Sequence, residues 1–199
     1  AYADNFGTTA GTADNTAGDG GMYVNANLSG SGKITYVQVD KTEIDKKGKA
    51  VRITGGTGQP YITGGWPGDY WYFEAQADQT YPAGTVANIS YLTRASGTGM
   101  KYWRMEYLDG ETWKPVVPTT SETLSDGQTF DYNIVMPTSN VELNYTVALT
   151  ASTTGLKFRM VTAANAQANG SGALSAPNGG THRIAADEVN LGPTISVLK

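Results

Sequence analysis

The sequence predicts an all-β protein: a two-sheet antiparallel β-sandwich of jelly-roll type, with about eleven strands and little helix. Three observations carry this. Apolar residues alternate with polar ones in short runs; Gly, Asn, Asp and Pro separate the runs; and almost no stretch keeps a helical period. The chain has 199 residues, a length that suits one sandwich domain over 1–199, with surface loops rich in glycine at 7–21 and 165–181.

Taken in order, the expected strands are 23–28, 34–39, 51–54, 70–76, 86–92, 101–108, 130–135, 141–149, 156–161, 182–189 and 194–198. The clearest is 141–149, where Val141, Leu143, Tyr145, Val147 and Leu149 fall on one face. Asp109-Gly110 marks a hairpin, because both residues tolerate positive φ, and it pairs 101–108 with 112–117. Alternation then places Trp103, Met105 and Tyr107 in the core and Tyr102, Arg104, Glu106 and Leu108 outside. In 69–76, Trp71, Phe73 and Ala75 point inward and Tyr70, Tyr72 and Glu74 outward. The one helical stretch, Val161 to Ala168, is rich in alanine but too short to stand without packing. The loops follow from composition: residues 7–21 read GTTAGTADNTAGDGG and offer almost nothing to bury.

Composition narrows the function classes. The formal charge of −4 and the absence of a basic stripe argue against nucleic acid as a partner. The cluster Lys46, Lys47 and Lys49 reads as a solvated turn. The chain has no cysteine, which excludes disulfides, thiol nucleophiles and cysteine-held zinc. No apolar run is long enough to span a membrane as a helix. A start at Ala1 without Met is read as a processed, exported protein, secreted or on the outer cell surface.

Catalytic signatures are sparse. His182 is the one histidine, so a Ser-His-Asp arrangement would have to use it, yet no nucleophile elbow is present and it reads as the start of a strand. The glycines of GGTGQP, residues 55–60, lack the Lys-Ser/Thr of a phosphate loop. A glycosidase would need paired carboxylates, for which Glu74 and Glu106 are the candidates.

A sugar site is better supplied. It needs flat rings to stack on C–H faces and planar polar groups to read hydroxyls. Trp66, Asp69, Tyr70, Tyr72, Tyr102, Arg104 and Glu106 provide both, if strands 70–76 and 101–108 are neighbours. Trp66 is singled out because GGWPGD leaves it little local apolar cover. A structural Ca2+ would draw on Asp14, Asn15 and Asp19, with Asp187 and Glu188 joining them if the terminal strands pair.

The segments YWRMEYLDGETW, YWYFEAQADQTYPAGTVANISYLTRAS, LKFRMVTAANAQANGSG and HRIAADEV together resemble jelly-roll, galactose-binding-like accessory domains of secreted and outer-surface bacterial glycan-utilisation proteins. Such domains carry a YSxDGxxW-like hairpin, an R-x-A strand and a closing RIDDV-like strand, and the likeness spans residues 70 to 190. It departs from that pattern in having Ala185-Ala186 before Asp187-Glu188. The resemblance implies a non-catalytic carbohydrate-binding accessory module. A structural or adhesive surface domain is the second reading, and a glycoside hydrolase on a lectin-like sandwich the third.

Overall fold

The fold is that of a computed structural model, which describes residues 2–5, 23–24, 32–38, 61–170, 172–174, 180–185 and 193–198. The strands expected at 51–54, the loop at 7–21, the lysine cluster and GGTGQP lie outside the described residues.

In chain order the strands are β1 (Tyr2–Asn5), β2 (Tyr23–Val24), β3 (Gly32–Gln38), β4 (Tyr61–Thr63), β5 (Tyr70–Tyr81), β6 (Val86–Ala95), β7 (Tyr102–Asp109), β8 (Thr112–Pro115), β9 (Thr120–Thr123), β10 (Thr129–Tyr132), β11 (Ile134–Val135), β12 (Val141–Ala148), β13 (Thr153–Thr162), β14 (Thr181–Ala185) and β15 (Thr194–Leu198). The first sheet runs β1-β3-β5-β13-β7-β11, with β8 paired to β7. The second runs β2-β15-β6-β14-β4, with β12 paired to β6, and β9 and β10 form a separate hairpin. Pairing is antiparallel except between β15 and β2. The protein is therefore an all-β, two-sheet sandwich.

Alternation builds the core. Trp71, Phe73 and Ala75 of β5 have no exposed surface, and Met105, Phe158 and Met160 join them from the same sheet. Ile89, Tyr91, Val147, Ile184 and Ile195 face them from the second sheet. Each large side chain so buried stabilises the fold by roughly 1.5–3 kcal/mol relative to exposure. The contact between sheets is specific: the Tyr91 hydroxyl donates to Met160 Sδ at 3.2 Å, and the Phe73 and Tyr91 rings lie 5.3 Å apart.

His182 stands at the start of a strand as expected, second residue of β14, but it does not decorate the surface there. It is fully buried in β14, where Trp71 Nε1 donates to its Nδ1 at 2.8 Å and its Nε2 lies 2.9 Å from Thr93 Oγ1. Accepting from the indole fixes Nδ1 without a proton, so Nε2 carries it toward the threonine. Trp103 stacks beside the ring, 4.5 Å between centroids. Burial lowers the imidazole pKa to about 3, so it sits neutral between the sheets.

The β7–β8 hairpin forms as expected but turns one residue later. Asp109 pairs with Thr112, leaving Gly110 and Glu111 as the turn, and of these Gly110 alone has positive φ, 66°, the pattern of a type II′ turn. Asp109 instead anchors the neighbouring 149–152 turn: Oδ1 accepts from the backbone N–H of Thr150 and Ala151, both at 2.9 Å, and Oδ2 from Lys114 Nζ at 2.6 Å. Burial pushes this carboxyl up, but the hydrogen bonds from Lys114, Thr150 and Ala151 outweigh it and hold it well below the usual carboxylate range.

No helix forms at 161–168. Val161 and Thr162 complete β13, and the alanines after them turn inward, Ala164 and Ala166 packing against Tyr102 and Phe130. Tertiary burial overrides a helix propensity spread over too few residues.

Candidate functional site

The outer face of the first sheet carries the densest set of functional side chains. Strands β5 and β7 are not neighbours; β13 lies between them, pairing Arg159 with Tyr72 on one side and with Glu106 on the other. Alternation puts Tyr70, Tyr72 and Glu74 of β5, Lys157 and Arg159 of β13, and Arg104 and Glu106 of β7 on this face. Trp113 joins them from β8, opposite Leu108.

Arg159 is the hub. Its guanidinium lies 4.3 Å from the Trp113 ring centroid and 5.6 Å from that of Tyr70, and its Nε donates to Glu106 Oε1 at 3.0 Å. Glu106 also pairs with Arg104 at 3.5 Å. The Tyr72 and Trp113 rings meet edge to face at 6.4 Å. Tyr72 donates to Glu74 Oε2 at 2.6 Å, and Glu74 lies 3.8 Å from Lys157 Nζ. Burial and then this bond to Glu74 raise the Tyr72 hydroxyl well above its ordinary pKa, so it remains a protonated donor. The result is a ledge of rings and planar ionic groups held at fixed angles.

The expected residues divide. Tyr70, Tyr72, Arg104 and Glu106 come together on this ledge. Asp69 does not: at 2% exposure it accepts from Tyr36 at 3.2 Å and from the Trp66 N–H at 2.9 Å, fixing the turn that leads into β5. Trp66 is half-buried in that turn, at the end of the sandwich where Gly65 approaches Met100 and Tyr36 too closely for any Cβ.

Tyr102, expected outside, is buried, because the β9–β10 hairpin closes over it. Its ring lies 4.9 Å from Phe130 and 4.8 Å from Tyr132. The alternation rule has no knowledge of an element laid across a sheet, and β9 itself, Thr-Ser-Glu-Thr, has no apolar alternation to announce it. Tyr102 also lines a cleft of about 330 Å³ between the hairpin tip (Leu124, Ser125, Asp126) and residues 165–167, 170, 172 and 173, with Lys101 5.0 Å over its ring.

Sequence reasoning missed Arg159, Lys157 and Trp113 as site residues. Arg159 alternates with Phe158 and Met160, so its outward direction was legible; its place between β5 and β7 was not. Trp113 was legible as the partner of Leu108 across the hairpin.

The carboxylates Glu74 and Glu106 project from strands two apart and are offset by two residues, which sets their attachment points about 12 Å from each other. Each is engaged by a cation, Glu74 by Lys157 and Glu106 by Arg104 and Arg159. Asp14, Asn15, Asp19, Asp187 and Glu188 lie outside the described residues; among the described residues no group of three or more His, Asp or Glu converges as a metal site. Among the described residues no helix is long and apolar enough to cross a membrane.

No protein-family model and no curated protein matches the chain. Among solved structures, the enzymatically active domain of bacteriophage CBA120 tailspike protein 4 aligns with 98% of this chain and 19% of its own, at 11% identity and a TM-score of 0.29. At that score the likeness carries no argument, and this chain spans about a fifth of the length of that one.

Proposed function

We propose that the protein is a non-catalytic carbohydrate-binding module of galactose-binding-like, jelly-roll type, acting outside the cell or at its surface, with the outer face of the first sheet as its site. The observation that supports this reading is the Trp113–Arg159–Tyr70 ledge. A pyranose presents an apolar C–H face to a ring, while its hydroxyls bond to planar groups alongside. Arg159 is held by Nε on Glu106, and among the described residues no hydrogen bond engages its Nη groups. Tyr72, Arg104 and Glu106 supply further donors and acceptors at the same level.

A glycan array with the purified protein tests the reading, run alongside Trp113→Ala and Arg159→Met. Binding by the parent and its loss in both variants, with melting temperatures within a few degrees of the parent, supports the module. A blank array on folded parent protein turns the account to the second reading, a structural or adhesive surface domain whose ledge meets a protein.

A further inference from the structure

The outer face of the second sheet carries two arginines opposite each other in register, with no ion-pair partner among the described residues. Arg183 of β14 is the direct cross-strand partner of Arg94 of β6, and on its other side Arg183 pairs with Tyr61 of β4. Strand alternation puts all three on the solvent side, since Thr93, Ala95, Ile184 and Ile62 point into the core. Like charges directly opposite across a ladder repel. Elsewhere the fold avoids this: Arg104 and Arg159 share Glu106. Among the described residues neither Arg94 nor Arg183 takes part in an ion pair.

Arg183 is also fixed in place. Its guanidinium lies 5.7 Å from the Tyr61 ring centroid, and its Nε is buried with no acceptor. A buried donor on a permanently charged group is costly unless an acceptor reaches it. Two arginines opposite each other in register, one with an unanswered Nε–H, suit an acceptor that brings two oxygens and a negative charge, because guanidinium groups take forked hydrogen bonds.

We propose that Arg94 and Arg183, with Tyr61 as the wall that orients Arg183, form a binding site for an oxyanion group, a carboxylate or a sulfate ester, on the face opposite the aromatic ledge. The site is independent of the carbohydrate reading of that ledge.

The test is a titration of the ¹⁵N-labelled protein at constant ionic strength, balanced with chloride, following the side-chain Nε–Hε resonances of Arg94 and Arg183. The probes are glucuronate, inorganic sulfate and, as the neutral control, glucose. The expected result is a saturable movement of both resonances with glucuronate or sulfate and none with glucose, the stronger anion naming the source. Arg94→Ala and Arg183→Lys should each weaken the response about tenfold or more. In the absence of anion, Arg94→Ala should melt no lower than the parent, because it removes a repulsion. No saturable shift with either anion overturns the site, and so does a drop in melting temperature on Arg94→Ala, which would mean that a protein group already holds Arg94.

Discussion

On the outer face of the first sheet, Tyr70, Tyr72 and Trp113 surround an arginine held by Glu106. On the outer face of the second sheet, Asn88 bonds to Asn144 at 2.6 Å and to Thr146 at 3.0 Å, with Ser90, Glu142 and Thr194 beside them. Both faces arise from the same alternation, and both back the same core. The second shows what closing a sandwich against water requires: small polar side chains that bond to one another across the ladder. The first goes beyond that requirement, because rings kept half in water forgo part of the stabilisation that burial would give them. The proposed carbohydrate site on the ledge rests on this difference, with the polar face, its arginine pair apart, as covering.

The largest expected effect concerns the lid over one end of the ledge. Tyr102→Ala removes the ring that Phe130 and Tyr132 pack on and should cost about 3 kcal/mol. Calorimetry should record a drop of several degrees, and amide exchange should rise across β9 and β10 while β12 stays protected. Equal acceleration in β12 would mean that the hairpin is no separate element of the first face.

Acid acts on both faces through their shared core. His182 has a pKa of about 3 in the folded protein against an ordinary 6.5, because burial disfavours its charged form. Its neutral imidazole therefore contributes full stability above pH 6.5, and the contribution falls away as pH drops from 6.5 toward 3. The slope is about 1.4 kcal/mol per pH unit, or about 2 kcal/mol between pH 6.5 and 5. It is the one histidine in the chain, so urea melts across that window isolate it, and His182→Asn should flatten the slope. A parent flat from pH 7 to 5 would contradict the neutral, indole-bonded ring.

Arg159→Met keeps the stem that packs beside Trp113 and removes the charge shared with Glu106. It should cost about 1 kcal/mol of stability and, in a binding assay, about tenfold or more in affinity. A loss of stability without a loss of binding would make Arg159 a brace for the sheet. The smallest effect belongs to the other face: Asn144→Ala should stay within about 0.5 kcal/mol of the parent and bind oligosaccharide unchanged.

Much of this was readable from residues. Trp71, Phe73 and Met105 announce their burial by alternation, and the run from Val141 reads directly as strand β12, which ends at Ala148. What escaped was lateral order and cover. Nothing local says that β13 separates β5 from β7, since strand order is set by which long-range pairing closes the core. Nothing in Thr120–Thr123 says that it will lie beside β10 over Tyr102. Asp109 shows the same limit: its Asp-Gly context gives the hairpin, but its carboxylate serves a turn forty residues away. The site residues legible in the sequence were those whose role needs one strand, Tyr70 and Tyr72; Arg159 needed three.

The central claim is that the ledge, and not the polar face, recognises carbohydrate. Its most direct test is the map of backbone amide shifts produced by the strongest neutral oligosaccharide from the array. Shifts confined to 70–74, 104–106, 113 and 157–159, and abolished in Trp113→Ala, are the expected result. Shifts gathered on 88–92 and 142–146, or no neutral ligand at all for the folded protein, would contradict it.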